Sequence, residues 1–325
     1  MKLRLALLLL CAAAIHWTSM NSAAITPPAS GVARELARAR AAAISDVRYA
    51  LRFALAPGNA AVKGHAEIRF HWKQSSDAVV LDFRDLEGAG KTGAITINGR
   101  AINDAQNING HLVLPTAHFK AGENVVALAF ETAAAPANRP LIRYQDKDDG
   151  SEYVYTLFVP MDASLAFPCF DQPDLKGRFT LELQVPQNWD AISNTQPQQS
   201  NNSGTAKTVR FEQTKPISTY LFAFAAGPFK QLAGNAGALP TRLFVRQSQL
   251  KRAQEEWPAV MQMTHAGLQH YVSFFGHAVE RIAVDLHLNR GCRAHIENPW
   301  IGTLAERPDV ADHEKGTVGE IKHGR

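Results

Sequence analysis

From Ser45 onward the apolar residues come in short runs with a period of two. Val47-Arg48-Tyr49-Ala50-Leu51-Arg52-Phe53 alternates apolar and polar positions, and Val62 to Trp72 repeats the pattern with Ala66, Ile68 and Phe70 on one face. Such alternation marks strands that have one face in a core and the other in water. Further short strands read at Val79 to Phe83, Ala94 to Ile97, His111 to Leu114 and Val125 to Phe130. Turn-forming strings separate them: Pro57-Gly58-Asn59, Asn98-Gly99, Asn109-Gly110 and Ala121-Gly122-Glu123.

A second series follows at Tyr153 to Phe158, Phe179 to Val185, Thr208 to Gln213, Tyr220 to Ala226 and Thr241 to Val245, interrupted by a polar loop at Gln196 to Gly204. Strands this short and numerous, with no amphipathic helices between them, predict a mainly β chain whose antiparallel sheets pack as a sandwich or saddle. Near residue 250 the period changes. Trp257, Val260, Met261, Thr264, Leu268 and Tyr271 recur at helical spacing, which predicts one or two helices over Gln249 to Phe275 and the start of an α-rich domain. The division is a linker with a short helix over 25–44, a β domain over 45–245 and an incomplete α-rich region over 246–325.

The N-terminus adds a targeting signal. Lys2 and Arg4 precede an unbroken apolar stretch from Leu5 to Ile15, and Ser22-Ala23-Ala24 places small residues where a signal peptidase cuts. The stretch is too short to span a bilayer as a permanent helix, and no later segment is apolar enough for a membrane span. A signal peptide over 1–24 and a periplasmic or extracellular location are the expectation. With 46% hydrophobic and 20% charged residues, the composition is that of a core-forming protein. The formal charge of +4 includes no basic run, which argues against nucleic acid as a partner. After cleavage Cys169 and Cys292 remain, too few for a disulfide framework; one pairing and a buried, unpaired Cys169 are both open.

The most specific string is Ala166-Phe167-Pro168-Cys169-Phe170-Asp171-Gln172-Pro173-Asp174-Leu175-Lys176. Phe167, Phe170 and Leu175 have the spacing of a turn packed beneath a sheet. Pro168 and Pro173 fix the backbone on either side of Asp171, whose carboxylate can accept backbone N–H bonds there. The string resembles the F-P-C-F-D-E-P-x-x-K signature of the aminopeptidase N family of zinc metallopeptidases, with Gln172 where Glu is commoner. Asp46 to Leu51 is similar to that family's opening strand and Leu81-Asp82-Phe83 to its third. Thr214 to Leu221, with Gly227-Pro228-Phe229, is similar to the strand that closes its N-terminal domain. The resemblance covers about residues 45–277.

What the resemblance implies is an N-terminal β saddle leading into a helical catalytic domain that removes N-terminal residues from peptides. Peptide would be the partner and zinc the cofactor of the parent family, polarising the scissile carbonyl and activating water. The signature segment would shape the wall of the substrate cleft. In that family zinc is held by H-E-x-x-H on a helix, with a distant Glu as third ligand. None of the twelve His has this spacing: His313-Glu314 is followed by Thr317 in the fifth position, and His265 and His270 are five apart. The chain is therefore expected to stop before the zinc site, to carry no metal ligand or catalytic residue, and to bind no zinc of its own.

Two substrate-binding strings of the family are altered. Many relatives hold the free amine of the peptide with the Gln and Glu of T-Q-F-E, where this chain reads Thr156-Leu157-Phe158-Val159. Neither polar group is present, although an ammonium needs oxygen acceptors around it. Relatives also carry G-x-M-E-N, and Ala294-His295-Ile296-Glu297-Asn298-Pro299 keeps its last two residues. Glu297 and Asn298 are thus the substrate-binding candidates, against a plain surface reading of Glu297. The stretch Val279 to Arg325, rich in His, Arg and Gly, reads either as a frameshifted or recombined end or as a divergent region folded against the sheet. A non-catalytic secreted β module that binds peptides or a partner protein is the competing function.

Overall fold

The computed structural model describes residues 27–74, 78–84, 90–135, 139–236 and 239–276. The signal peptide expected over 1–24, Cys292, the candidates Glu297 and Asn298, and the stretch from Val279 lie outside the described residues.

The long alternating strands build one sheet. Helix α1 (Arg34–Ala43) runs directly into β1 (Ile44–Ala54), which pairs with β2 (Ala61–Trp72), and β2 with β8 (Gly122–Ala133). Beyond β8 lie β4 (Lys91–Ile97) and β5 (Arg100–Ile102). On the other side of β1 lie β11 (Gly177–Pro186), β14 (Ala206–Phe211) and β13 (Pro197–Ser203), giving the eight-stranded order β13-β14-β11-β1-β2-β8-β4-β5. All these pairs are antiparallel except β1 with β11. A parallel pair requires a crossover connection, and more than a hundred residues separate these two strands in the chain. Val47, Tyr49, Leu51 and Phe53 on β1, and Ala66, Ile68 and Phe70 on β2, are buried, as their alternation requires.

Smaller sheets cover that buried face. One joins β3 (Ala78–Asp82), β7 (His111–Pro115) and β6 (Gln106–Ile108). The other orders β12 (Asp190–Ser193), β15 (Phe224–Gly227), β10 (Glu152–Thr156) and β9 (Leu141–Gln145). β3 and β15 are nearly continuous apolar runs because both of their faces are covered. The architecture is therefore the mainly β, layered one that the period-two runs imply.

Several elements differ from their sequence reading. The polar segment Gln196 to Gly204 is not a loop: it contains β13, an edge strand whose seven residues are all exposed. An edge with water on both faces needs no apolar alternation, so periodicity cannot reveal it. The Tyr220 to Ala226 strand begins only at Phe224, after a 3-10 turn over Thr219–Leu221. The helical region is one helix, α2 (Leu250–Phe275), with Pro258 inside it and Gly276 as a left-handed cap at φ 68°. α2 leans on the hairpin of β16 (Lys230–Ala236) and β17 (Leu239–Val245) through a small core of Leu243, Val245 and Ala253. No helix among the described residues is long and apolar enough to cross a membrane.

One glycine in the main sheet is dictated by packing. Gly64 on β2 stands opposite Phe130 on β8, and a Cβ added to it would lie 2.2 Å from the Phe130 ring. That ring cannot move freely, being wedged edge-on against Phe53 and Phe83. Replacing Gly64 with Ala should therefore cost about 1–3 kcal/mol of overpacking strain. Equilibrium denaturation with an unchanged m-value would report it, and a neutral result would mean that the ring shifts without cost.

Candidate functional site

The signature loop sits at the centre of the β domain. Phe167 is fully buried, and its ring meets those of Tyr49, Phe53, Phe158, Phe179 and Phe222 at centroid distances of 5.7–6.4 Å. All of these contacts are edge-on, the geometry that aligns ring edges with π faces. Cys169 exchanges both backbone hydrogen bonds with Asp82 on β3, at 2.7 and 3.0 Å. The next amide, Phe170 N–H, donates to the buried Tyr49 hydroxyl at 3.0 Å. The loop is thereby fastened to both the large sheet and the three-stranded one.

Asp171 does in this turn what its neighbours suggest. Its carboxylate accepts the Ser164 N–H at 3.0 Å and the Thr219 hydroxyl at 2.7 Å, tying the loop to the 3-10 turn that precedes β15. Burial pushes its carboxyl above the ordinary range, and these two donors oppose the shift only in part.

Asp82 is the hub that the sequence reading passed over. One carboxylate oxygen accepts from Arg40 Nη2 at 2.6 Å and faces His111 Nδ1 at 2.7 Å; the other accepts from Arg40 Nη1 and the Asp171 N–H, both at 2.8 Å. Arg40 comes from α1, His111 from β7 and Asp171 from the signature loop, and all three side chains are buried. Burial alone would raise the Asp82 carboxyl, but the His111 hydrogen bond and the Arg40 charge outweigh it and hold the group below its usual range. The signal was present in the sequence as an Asp inside the apolar run Val79-Val80-Leu81-Asp82-Phe83. A charge in a fully buried strand needs partners. Those partners lie 42, 29 and 89 positions away, so spacing could not supply them.

The remaining candidate positions are structural or outside the described residues. Thr156 accepts the Phe224 N–H at 3.0 Å and donates to the Phe224 carbonyl at 3.3 Å, while Leu157 and Phe158 pack into the core. Thr156, Leu157 and Phe158 thus offer no carboxylate or amide oxygen to an ammonium group. Among the described residues, no three His, Cys, Asp or Glu side chains converge as a metal ligand set. The Asp82–His111 pair does not fit zinc either: the carboxylate is engaged by Arg40, and both His111 nitrogens face protein acceptors. The described residues thus do not fit the metal that the family resemblance implies, and Glu297 and Asn298 are not among them.

Two outcomes follow from this geometry. Asp82→Asn removes the charge that compensates Arg40 and should destabilise the domain by about 3–5 kcal/mol. Because the folded pKa is lowered, the Asp82 contribution is complete above about pH 4 and fades as pH falls through the folded value, so wild type and variant should converge in acid. Urea titrations across that range would test both the size and the sign. Cys169 is fully buried, and burial, reinforced by the Asp171 and Asp82 charges, lifts its thiol well above the ordinary range. It should resist alkylation in native protein at neutral pH and react on unfolding; rapid native labelling located to Cys169 would contradict this.

The chain is similar in sequence to several aminopeptidases. Aminopeptidase N of Streptomyces lividans is 26% identical over 259 residues, which cover 77% of this chain and 29% of that protein. Aminopeptidase M1-D of Oryza sativa subsp. japonica is 35% identical over 115 residues, covering 35% of this chain and 13% of its own length. Aminopeptidase N of Acetobacter pasteurianus is 26% identical over 244 residues, covering 72% of this chain and 65% of that protein. The chain thus spans less than two thirds of each of these relatives. The Peptidase M1 N-terminal domain model matches residues 45–221, from the start of β1 to the turn held by Asp171. With more than half of its residues matched, this chain belongs to the peptidase M1 N-terminal domain family.

Proposed function

We propose that this chain is the N-terminal β domain, followed by the first helix of the catalytic domain, of an exported aminopeptidase N-type zinc metallopeptidase. The observation that carries this reading is the signature loop. Its Phe167, Cys169 and Asp171 are not decoration on the surface but the joint between the sheets, within the region that matches the family. The parent reaction is release of N-terminal residues from peptides, with zinc held by an H-E-x-x-H pair and a distant Glu that this sequence does not contain. α2 supports the domain assignment. Beyond its contact with the hairpin it exposes Met263 and Phe274, at 68% and 73% of their surface, which suits a helix that further catalytic-domain polypeptide covers.

The 325 residues on their own are proposed to be inactive. A catalytic zinc needs three protein ligands in fixed geometry, and no H-E-x-x-H string is present in this sequence to supply the first two. A secreted, non-catalytic β module is the second reading, favoured by the loss of amine-binding oxygens at Thr156-Leu157-Phe158-Val159.

Purified residues 25–325 should release no N-terminal residue from aminoacyl-nitroanilides or peptides, with or without added zinc, and Glu297→Ala should change nothing. Chelator-sensitive hydrolysis that Glu297→Ala abolishes would overturn the inactive reading and assign Glu297 to the substrate amine. Binding of peptides without turnover would favour the module instead. Mass spectrometry of the exported protein should find the chain starting after Ala24.

A further inference from the structure

The segment before α1 is clasped by one histidine. His111 Nε2 lies 2.9 Å from the Ala29 carbonyl oxygen and 3.1 Å from that of Gly31, while its Nδ1 lies 2.7 Å from Asp82 Oδ1. Gly31 makes the double contact feasible: its left-handed φ of 76° curls the backbone so that both carbonyls reach the same nitrogen. Next to it, Asn109 Nδ2 donates to the Pro28 carbonyl at 2.9 Å.

The chemistry of these partners decides the state of the ring. A carboxylate and two carbonyl oxygens can only accept, so both ring nitrogens must carry hydrogen. His111 therefore satisfies its surroundings only as an imidazolium. Charge balance agrees. Asp82 from β3 and Asp171 from the signature loop contribute two carboxyl groups, and Arg40 from α1 with an imidazolium offsets them. The remaining titratable groups near this cluster do not compete for the ring. Arg84, whose side chain packs beside Gly110, directs its guanidinium to Ser164 and Asp162, and Cys169 is a neutral buried thiol.

We propose that His111 is a protonation-dependent latch, which as imidazolium clasps residues 29–31 to the β domain and on losing a proton lets them go. The neutral ring has one N–H. The Asp82 carboxylate retains it on Nδ1, and the proton lost to solvent comes from Nε2, whose lone pair then faces two carbonyl oxygens. Repulsion replaces two hydrogen bonds, and the arm, left with the Asn109–Pro28 contact, loosens while Arg40 still holds α1. The Asp82 hydrogen bond raises the His111 pKa against the opposing effect of burial. A raised folded pKa means that the clasp is complete below the ordinary histidine value of about 6.5 and is lost as pH rises through the folded one. The latch thus opens on the alkaline side.

Two measurements on the full chain test this. Histidine-selective NMR, with His111 assigned in the wild type by through-bond correlation of its ring to its own backbone, should show an imidazolium at about pH 6 that titrates above the ordinary histidine value. Tryptic cleavage after Arg34, normalised at each pH to an unstructured peptide of the same local sequence, should rise severalfold through the same midpoint. In His111→Gln, which cannot change charge, normalised cleavage should be independent of pH. A neutral His111 at acidic pH, flat cleavage in wild type, or an equal rise in His111→Gln would each overturn the latch. If His111→Gln does not fold, the wild-type data still decide: coincident midpoints support the latch and separate ones refute it.

Discussion

A carboxylate buried where three segments of the chain meet requires all three to be in place. Asp82 is that carboxylate. It stands at the end of β3, an edge strand of the small three-stranded sheet, and is reached by Arg40 from the N-terminal helix, His111 from the neighbouring strand and the Asp171 amide from the signature loop. Removing the group from water costs several kcal/mol, which only a complete set of donors offsets. Near-miss arrangements leave a buried charge unpaired. The energetic gain over an apolar core is thus small, while the discrimination against alternative packings is large, and this makes Asp82 a device for specifying one structure.

The aromatic cluster around Phe167 depends on the same constraint. An edge-on contact between rings is weak individually, and many ring arrangements fill a given volume about equally well. What selects this one is the backbone of the signature loop, held by the paired Asp82–Cys169 hydrogen bonds below Phe167 and by Tyr49 at Phe170. Tyr49 serves both systems, stacking on Phe179 at 4.7 Å while its hydroxyl accepts from the loop. Polar and apolar order are therefore coupled through one short peptide, which accounts for the density of information in the string from Ala166 to Lys176.

How legible this was in the sequence follows from the range of each interaction. β1, β2 and β8 were readable because one face is buried and the other wet, a local pattern repeated over many residues. The role of Asp171 was readable because its donor Ser164 is seven residues away and its flanking prolines fix the turn. The Asp82 hub was not readable, since its partners are brought together only by the closing of the sheets. Strand β13 was hidden for the opposite reason: it buries nothing, so its position depends on backbone pairing with β14 alone. Glu297 and Asn298 rest on a short string with no structural context among the described residues.

A second buried ion pair repeats the logic of Asp82 where the β domain gives way to the helix. Asp146 in the β9–β10 turn pairs with Arg246 at 3.1 Å and accepts the Ser248 hydroxyl at 2.7 Å, while Asp149 accepts the Ser248 N–H at 2.9 Å. The Tyr153 hydroxyl accepts the Gln247 N–H at 2.9 Å, and Arg246 lies over the Tyr144 ring at 4.5 Å. These contacts engage Arg246 and, after it, Gln247 and Ser248 in the 3-10 turn that opens α2. A flexible linker would let the helix leave the β domain in many directions; a buried, charge-assisted clasp leaves few. The two ion pairs therefore bracket the domain, Asp82 fixing how the chain enters it and Asp146 fixing how it leaves. The apolar contact of α2 with the hairpin, Leu243, Val245 and Ala253 with Leu232, Leu250 and Trp257 packed against them, and this polar clasp at its N-terminal end together hold the direction of the helix.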